Sequence, residues 1–203
     1  MWQSFIMTTE NVFLYQKKMA KLFMLILGAT PKGRYIEQHD IFFGIADEIN
    51  DLVPDIIAYW PEAAGRIHID AWREVSTVGD YHITVNEKEN FNNQDTTVKL
   101  FFLNLGGYKR GEFEEYHYKM LAVSPDTGEA IRQAKQTAFY KHTGYPGATS
   151  HIDDKYGVDV DDVYDIADIL PTPFKEKYDI IITKANNPTE DELQIGYFKL
   201  NKL

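Results

Sequence analysis

The stretch KLFMLILGATPKGRYIEQHDIFFGIA, at Lys21–Ala46, decides the fold because the chain contains it twice. The second copy, KLFFLNLGGYKRGEFEEYHYKMLAVS, occupies Lys99–Ser124 and aligns with the first without a gap, at an offset of 78 positions. Nine of the 26 aligned positions are identical. Neither copy alone carries enough apolar surface for a stable core, so the repeat predicts two units that pack together.

Each copy is predicted to begin with a β-hairpin. An apolar run ends in glycine, a polar loop follows, and a second run rich in aromatic and branched residues comes next. A helix then follows in each copy. In the second copy Asp126 or Thr127 caps this helix, whereas in the first copy Pro54 either kinks the helix or lies in the first turn of a shorter one. Alternating strands from Tyr81 and Tyr178 complete the two units.

The predicted fold class is α+β, with two tandem strand–strand–helix–strand–strand repeats. We expect them to form one pseudo-twofold domain with a mainly antiparallel sheet, in one compact unit. The predicted divisions are an N-terminal extension at 1–20 with an alternative start at Met19, repeat one at 21–98, and repeat two at 99–203. The second repeat carries an acidic insertion at about 157–174.

The overall composition of the chain indicates which classes of partner it can bind. A net charge of −10 and a pI near 5.0 argue against nucleic acid or an anionic membrane as partner, because phosphate binding needs clustered cations. The chain has no cysteine, which excludes disulfides and thiolate metal sites and suits a cytoplasmic location. The longest apolar run, Leu22–Ala29, is too short to span a bilayer. We expect a monomer or a homodimer, with a small molecule or a protein as partner.

The candidate catalytic residues are carboxylate and imidazole pairs spaced two positions apart. On a strand this spacing places both side chains on one face. Two of the pairs belong to the doubled word His-Ile-Asp, which aligns between the copies once five residues are inserted in the second. The pairs are Glu37 with His39, Glu115 with His117, His68 with Asp70, and His151 with Asp153.

These pairs have two interpretations. A carboxylate beside a histidine fixes the imidazole tautomer, as a general base or a metal ligand requires, and converged pairs would suit Zn, Mn or Fe. The alternative is that each pair ties a strand end to its neighbouring loop, which a repeat would preserve equally well. The sequence requires no cofactor, although a divalent metal is compatible with it.

The two hairpin loops are locally basic on an acidic protein. Each has two glycines separated by four residues, but the Lys-Ser/Thr of a phosphate-binding loop is missing and a strand follows where that loop needs a helix. We therefore interpret these glycines as turn residues that supply positive φ. Weak anion binding remains open for the four basic residues Lys32, Arg34, Lys109 and Arg110.

Two further segments stand out by composition. The long connection FYKHTGYPGATSHIDDKYG is rich in aromatic and hydroxyl side chains and either lines a pocket or packs on itself. The acidic run Asp159–Asp168 lacks the pattern of a calcium loop and is interpreted as a solvated face. The ligand-binding candidates in the long connection are Tyr140, His142 and Tyr145, with Thr149, Ser150 and Tyr156 beside them.

Several long words of the chain resemble a known bacterial family. LFMLILGATPKGRYIEQHDIFFG, HIDAWREV, LFFLNLGGYKRGEFEEYHYKM, AKQTAFYKHTG and SHIDDKYGVDVDD are similar to the family named domain of unknown function 1543. The resemblance covers about Met19–Leu203 and implies a bacterial, cytosolic protein. It carries no activity and no catalytic residues, so none are transferred.

Two functions follow from the sequence. The first is a non-catalytic binding or interaction protein that uses the cleft between the repeats. The second is a metal-dependent or acid–base enzyme, hydrolase-like, that uses the Glu-x-His and His-x-Asp pairs.

Overall fold

A computed structural model describes residues 19–88, 97–108, 111–137 and 158–203. Its α+β fold confirms the predicted class, and every pairing between described strands is antiparallel. The strands are β1 Lys21–Ala29, β2 Gln38–Ala46, β3 His68–Glu74, β4 Thr77–Val78, β5 Tyr81–Glu87, β6 Lys99–Tyr108, β7 Glu115–Ser124, β8 Val158–Asp165, β9 Tyr178–Lys184 and β10 Gln194–Lys199. The α-helices are α1 Val53–Tyr59, α2 Thr127–Ala134, α3 Ile166–Ile169 and α4 Thr172–Lys177.

The first apolar run forms the interior strand β1. Its nearly continuous apolar sequence suits a strand buried on both faces, and the first sheet has the order β10-β3-β1-β2. The second sheet has the order β7-β6-β8, with β6 in the centre. Each repeated hairpin therefore contributes one central strand and one edge strand.

The two sheets share a detailed register. Gly28 pairs with His39 in the first, and Gly106 pairs with His117 in the second. A β-bulge interrupts the pairing of β1 with β3 between Ile26 and Leu27, and the pairing of β6 with β8 is interrupted at the matching place. That the two sheets are related by a twofold axis stays a prediction.

Two pairings join the sequence halves. β5 pairs with β9 in a third sheet, where Thr84 lies opposite Ile181. β10, near the end of the chain, pairs with β3 of the first sheet. Both connections link segments that lie far apart in the chain, since β3 pairs with β10 as Trp72 with Gln194. The halves are thus held by backbone hydrogen bonds as well as by side chains.

The main core also contains residues of both halves. Phe43 from β2 and Phe102 from β6 pack edge-to-face, with their ring centroids 5.7 Å apart. A second, smaller cluster lies on the other face of the second sheet, where α2 places Ala130 and Ala134 against Leu103. Each face of β6 is therefore covered, one by the other half and one by its own helix.

The helices settle two open points of the sequence analysis. In the first copy a 3₁₀ helix at Ile49–Leu52 precedes α1, and Pro54 lies in the first turn of α1, where its missing N–H costs nothing. In the second copy Asp126 is the N-cap of α2, and its carboxylate accepts a hydrogen bond from the Glu129 amide at 2.9 Å.

The structure places much of the acidic segment in the second sheet. Residues predicted as an insertion at about 157–174 form β8 and the two short helices after it, and β8 is the third strand of the second sheet. Gly28 pairs with His68 in the first sheet, and Gly106 pairs with Asp159 in the second. Asp159 therefore has the register position in the second sheet that His68 has in the first. Among the described residues no helix is long and apolar enough to cross a membrane.

Candidate metal centre

The first sheet brings four of the predicted residues together. His39 on β2 and His68 on β3 both pair with Gly28 on the central strand β1, so the two imidazoles flank that glycine from opposite sides. Glu37 directly precedes β2, and Asp70 occupies the bulge in β3. We call Glu37, His39, His68 and Asp70 the four-residue cluster.

Each imidazole contacts both carboxylates. His68 Nε2 lies 3.1 Å from Asp70 Oδ1 and 3.3 Å from Glu37 Oε1. His39 Nε2 lies 3.2 Å from Asp70 Oδ2 and 3.6 Å from Glu37 Oε2. Donor atoms of a tetrahedral zinc site with bonds of 2.0–2.1 Å are about 3.3 Å apart, so each of these four nitrogen–oxygen separations is compatible with two ligands of one ion.

Two buried atoms of this cluster lack hydrogen bonds. His68 has 5% of its side chain exposed, and its Nε2 atom has no hydrogen-bond partner among the described residues. Asp70 Oδ2 is buried and unsatisfied in the same way. Their contacts within the cluster lack hydrogen-bond angles, and an unsatisfied buried polar group costs about 1–3 kcal/mol. The contacts within the cluster therefore leave both atoms unsatisfied.

Glycine is required at position 28 by this close approach. A Cβ atom built there would lie 2.4 Å from His68 Nε2 and 2.5 Å from Asp70 Oδ2. The prediction of positive φ applies instead to Gly33, which has a φ of 85°, and to Gly111, which has a φ of 83°. Each hairpin loop thus uses one glycine for its turn and one for the space above the central strand.

The inner side of the cluster is shielded and the outer side is open. The Tyr197 ring stacks on His68 with the centroids 4.1 Å apart and the planes 30° from parallel. Glu37, His39 and Asp70 retain side-chain exposures of 43%, 45% and 29%. An ion held here would be accessible to solvent beside these three side chains.

A smaller cluster occupies the matching place in the second sheet. Glu115, His117 and Asp161 each offer one ligand atom, and these atoms all lie within 4.8 Å of one another. A Cβ atom at Gly106 would lie 2.3 Å from Asp161 Oδ2. All three residues are exposed, in contrast to the buried His68.

Sequence reasoning missed Asp161 because the acidic run was interpreted as a solvated face. A usable pattern was present, since Asp-Val-Asp at Asp159–Asp161 repeats the polar–branched–polar order of His68–Asp70. The bulge between Asn104 and Leu105 places Asp161 over Gly106, as the bulge in β3 places Asp70 over Gly28.

The other predicted residues do not join these clusters. Lys32 and Arg34 are exposed in the loop between β1 and β2, where neither side chain forms an ion pair with a described residue. The remaining candidates lie outside the described residues, and they are Lys109, Arg110, Tyr140, His142, Tyr145, Thr149, Ser150, His151, Asp153 and Tyr156.

A cleft of about 750 Å³ opens on the same face of the first sheet, next to the four-residue cluster. β1 and β3 supply one wall and β7 of the other half supplies the opposite wall. Arg73 and Lys119 line it, one from each half, and burial lowers the pKa of both side chains. Sequence analysis predicted a cleft between the repeats but neither of these cations.

A family described as Domain of Unknown Function (DUF1543) has a model that matches residues 34–85. The resemblance to this family is confirmed over residues 34–85. The matched residues include the whole four-residue cluster. No curated protein matches the chain.

One solved structure extends the similarity to most of the chain. The crystal structure of a protein Il1583 from Idiomarina loihiensis superposes with a TM-score of 0.59 at 20% identity, covering 89% of this chain and 97% of that one. At this level of identity the similarity concerns the fold alone.

Proposed function

We propose that this protein binds a divalent metal ion through Glu37, His39, His68 and Asp70. The observation that carries the proposal is the buried Nε2 atom of His68, which lacks a hydrogen bond yet lies within 3.3 Å of two carboxylate oxygens. A cation at this place would satisfy His68 Nε2 and Asp70 Oδ2 together, and it would offset the repulsion between the two carboxylates. Sequence analysis placed binding in the cleft first, and the geometry of this cluster favours metal binding.

The donor set indicates which metals are expected. Two imidazole nitrogens with two carboxylates suit Zn²⁺, Mn²⁺ and Fe²⁺, whereas Mg²⁺ and Ca²⁺ prefer oxygen donors alone. Gly28 leaves the space above β1 that His68 Nε2 and Asp70 Oδ2 occupy. We expect one ion per chain at this centre, with Zn²⁺ bound more tightly than Mn²⁺ in line with the general affinity order.

Metal titration of protein purified without a histidine tag and treated with EDTA tests this proposal. We expect isothermal titration calorimetry to detect Zn²⁺ binding to the cluster. His68→Ala and Asp70→Asn should each weaken the Zn²⁺ affinity by about 100-fold or more. His82→Ala is the matched control, because His82 is an exposed histidine of β5 that lies outside the cluster. Wild-type protein without Zn²⁺ affinity, or a folded His68→Ala variant that binds Zn²⁺ like the wild type, would contradict the proposal.

A second function, a metal-dependent hydrolase, is favoured by the exposure of the cluster. Three of the four side chains reach solvent, so a bound ion could keep a position for water, as catalytic zinc sites do. Such an ion would lower the pKa of its water, and a neighbouring carboxylate could accept the proton. Zn²⁺-loaded protein that hydrolyses activated ester or phosphodiester probes, with the rate lost in His68→Ala and kept in His82→Ala, supports this function. Tight Zn²⁺ binding without turnover assigns the cluster to binding alone.

A further inference from the structure

We propose that the cleft beside the cluster binds a small organic anion with an apolar body, held at its charged end by Arg73 and Lys119. This inference does not depend on metal binding, since neither cation belongs to the four-residue cluster. The ligand class is a carboxylate attached to an aliphatic or aromatic group.

The two cations lack anionic partners. Among the described residues no carboxylate oxygen lies within ion-pair distance of either side chain, although the chain carries ten more negative than positive charges. Lys119 Nζ has a single long contact, 3.5 Å to the His117 carbonyl oxygen. Both side chains are half-buried, and a charge held there without an ion-pair partner is destabilising, so the two cations favour an anion in this cleft.

Three carboxylates also line the cleft, those of Asp80, Glu190 and Asp191. Asp80 pairs with Lys184 at 3.2 Å, and Glu190 acts on Arg73 only through space, where it raises the pKa that burial lowers. Asp191 accepts hydrogen bonds from the Ser76 amide and hydroxyl and from the Thr77 amide, the shortest being 2.6 Å from Ser76 Oγ. Its carboxylate therefore organises the strand end before β4, and it influences Arg73 only through space, where it raises the pKa that burial lowers. Arg73 keeps its planar donor groups for a bidentate contact with a carboxylate.

The rest of the lining sets the shape of the ligand. Met24 and Ile26 of β1 and Leu121 of β7 make the two walls apolar in part. Leu193, which precedes β10, and Ile195 of β10 also line the cleft and are 59% and 76% exposed. A volume of about 750 Å³ lies within the range of small-molecule pockets. Burial of an apolar body against these walls would supply affinity, while Arg73 and Lys119 would supply orientation and selectivity for an anion.

A matched pair of probes tests the inference, using 4-phenylbutanoate and its neutral amide, 4-phenylbutanamide. Each is titrated into ¹⁵N-labelled protein in excess EDTA, so that no metal ion can hold the carboxylate. We expect 4-phenylbutanoate to shift amide resonances of β3 and β7 with a Kd on the order of 1 mM, and the amide to bind about 10-fold more weakly.

Variants separate recognition of charge from apolar binding. Arg73→Met and Lys119→Met keep an apolar stem and should each weaken 4-phenylbutanoate about 10-fold, with little change for the amide. Arg132→Met is the matched control, because Arg132 lies on α2, which packs on the opposite face of the second sheet. Equal binding of the two probes, unchanged affinity in both cleft variants, shifts confined to other strands, or no binding at about 20 mM would each overturn the inference. None of these results bears on Zn²⁺ binding, which is measured separately.

Discussion

The substitution Gly28→Ala tests the metal centre without removing any of its ligands. The added Cβ atom would lie 2.4 Å from His68 Nε2 and 2.5 Å from Asp70 Oδ2, below the 3.0 Å that real Cβ contacts respect. Both ligand atoms must therefore move by about 0.5–1 Å, while β1 keeps its backbone hydrogen bonds to β2 and β3.

The expected size of the effect follows from ligand geometry and linkage. Disturbing the groups that orient metal ligands costs about 10–100-fold in affinity. With Zn²⁺ at 100 times the wild-type Kd, the wild type gains about 2.7 kcal/mol of stability, whereas a variant that binds 100-fold more weakly gains about 0.4 kcal/mol. In the metal-free protein the strain of Gly28→Ala should lower the free energy of unfolding by about 1–3 kcal/mol. Replacing a strand glycine should offset about 0.5–1 kcal/mol of this loss.

The assay is urea unfolding of EDTA-treated protein with and without Zn²⁺, together with calorimetric titration. Gly196→Ala is the control, because its Cβ atom would lie 3.4 Å from the nearest atom of Phe198, an ordinary contact. If Gly28→Ala gains as much stability from Zn²⁺ as the wild type does, the ion is not held above Gly28. The assignment of the cluster as a metal centre would then be refuted.

Two further predictions concern stability. Asp126→Ala removes the carboxylate that accepts from the Glu129 amide at the start of α2, so we expect a loss of about 1 kcal/mol in urea unfolding, and an unchanged midpoint would contradict this cap. The Tyr59 hydroxyl lies 3.0 Å from Asp40 Oδ2 and from the Ile41 carbonyl oxygen, and burial followed by the Asp40 charge raises the Tyr59 pKa above its ordinary 10.0. The native state therefore holds this proton more tightly than the unfolded state. Below pH 10, Tyr59→Phe should be less stable than the wild type by about 0.5–1.5 kcal/mol. This difference in the free energy of unfolding should shrink as the pH rises above 10, because the unfolded wild type then loses the proton. Unfolding curves at pH 8 and near pH 10.5 measure it, and a constant gap would disprove the assignment.

Part of the candidate site could be predicted from local spacing. Glu37 and His39 stand two apart at the start of a strand, as do His68 and Asp70, and period-two alternation is enough to place each pair on one face. The same alternation could not show that the two pairs meet. That result depends on β1 lying between β2 and β3, so that His39 and His68 both face Gly28.

The amino-acid sequence by itself determined the repeated hairpins, the α+β class and the turn glycines Gly33 and Gly111, because periodicity, strand length and positive φ are properties of neighbouring residues. Only the tertiary structure decided why Gly28 must lack a side chain, and it alone brought Arg73 and Lys119 to one cleft. The physical reason is that β-bulges and cross-strand register depend on the packing of whole sheets. Segments far apart in the chain become neighbours only when the core they share has formed.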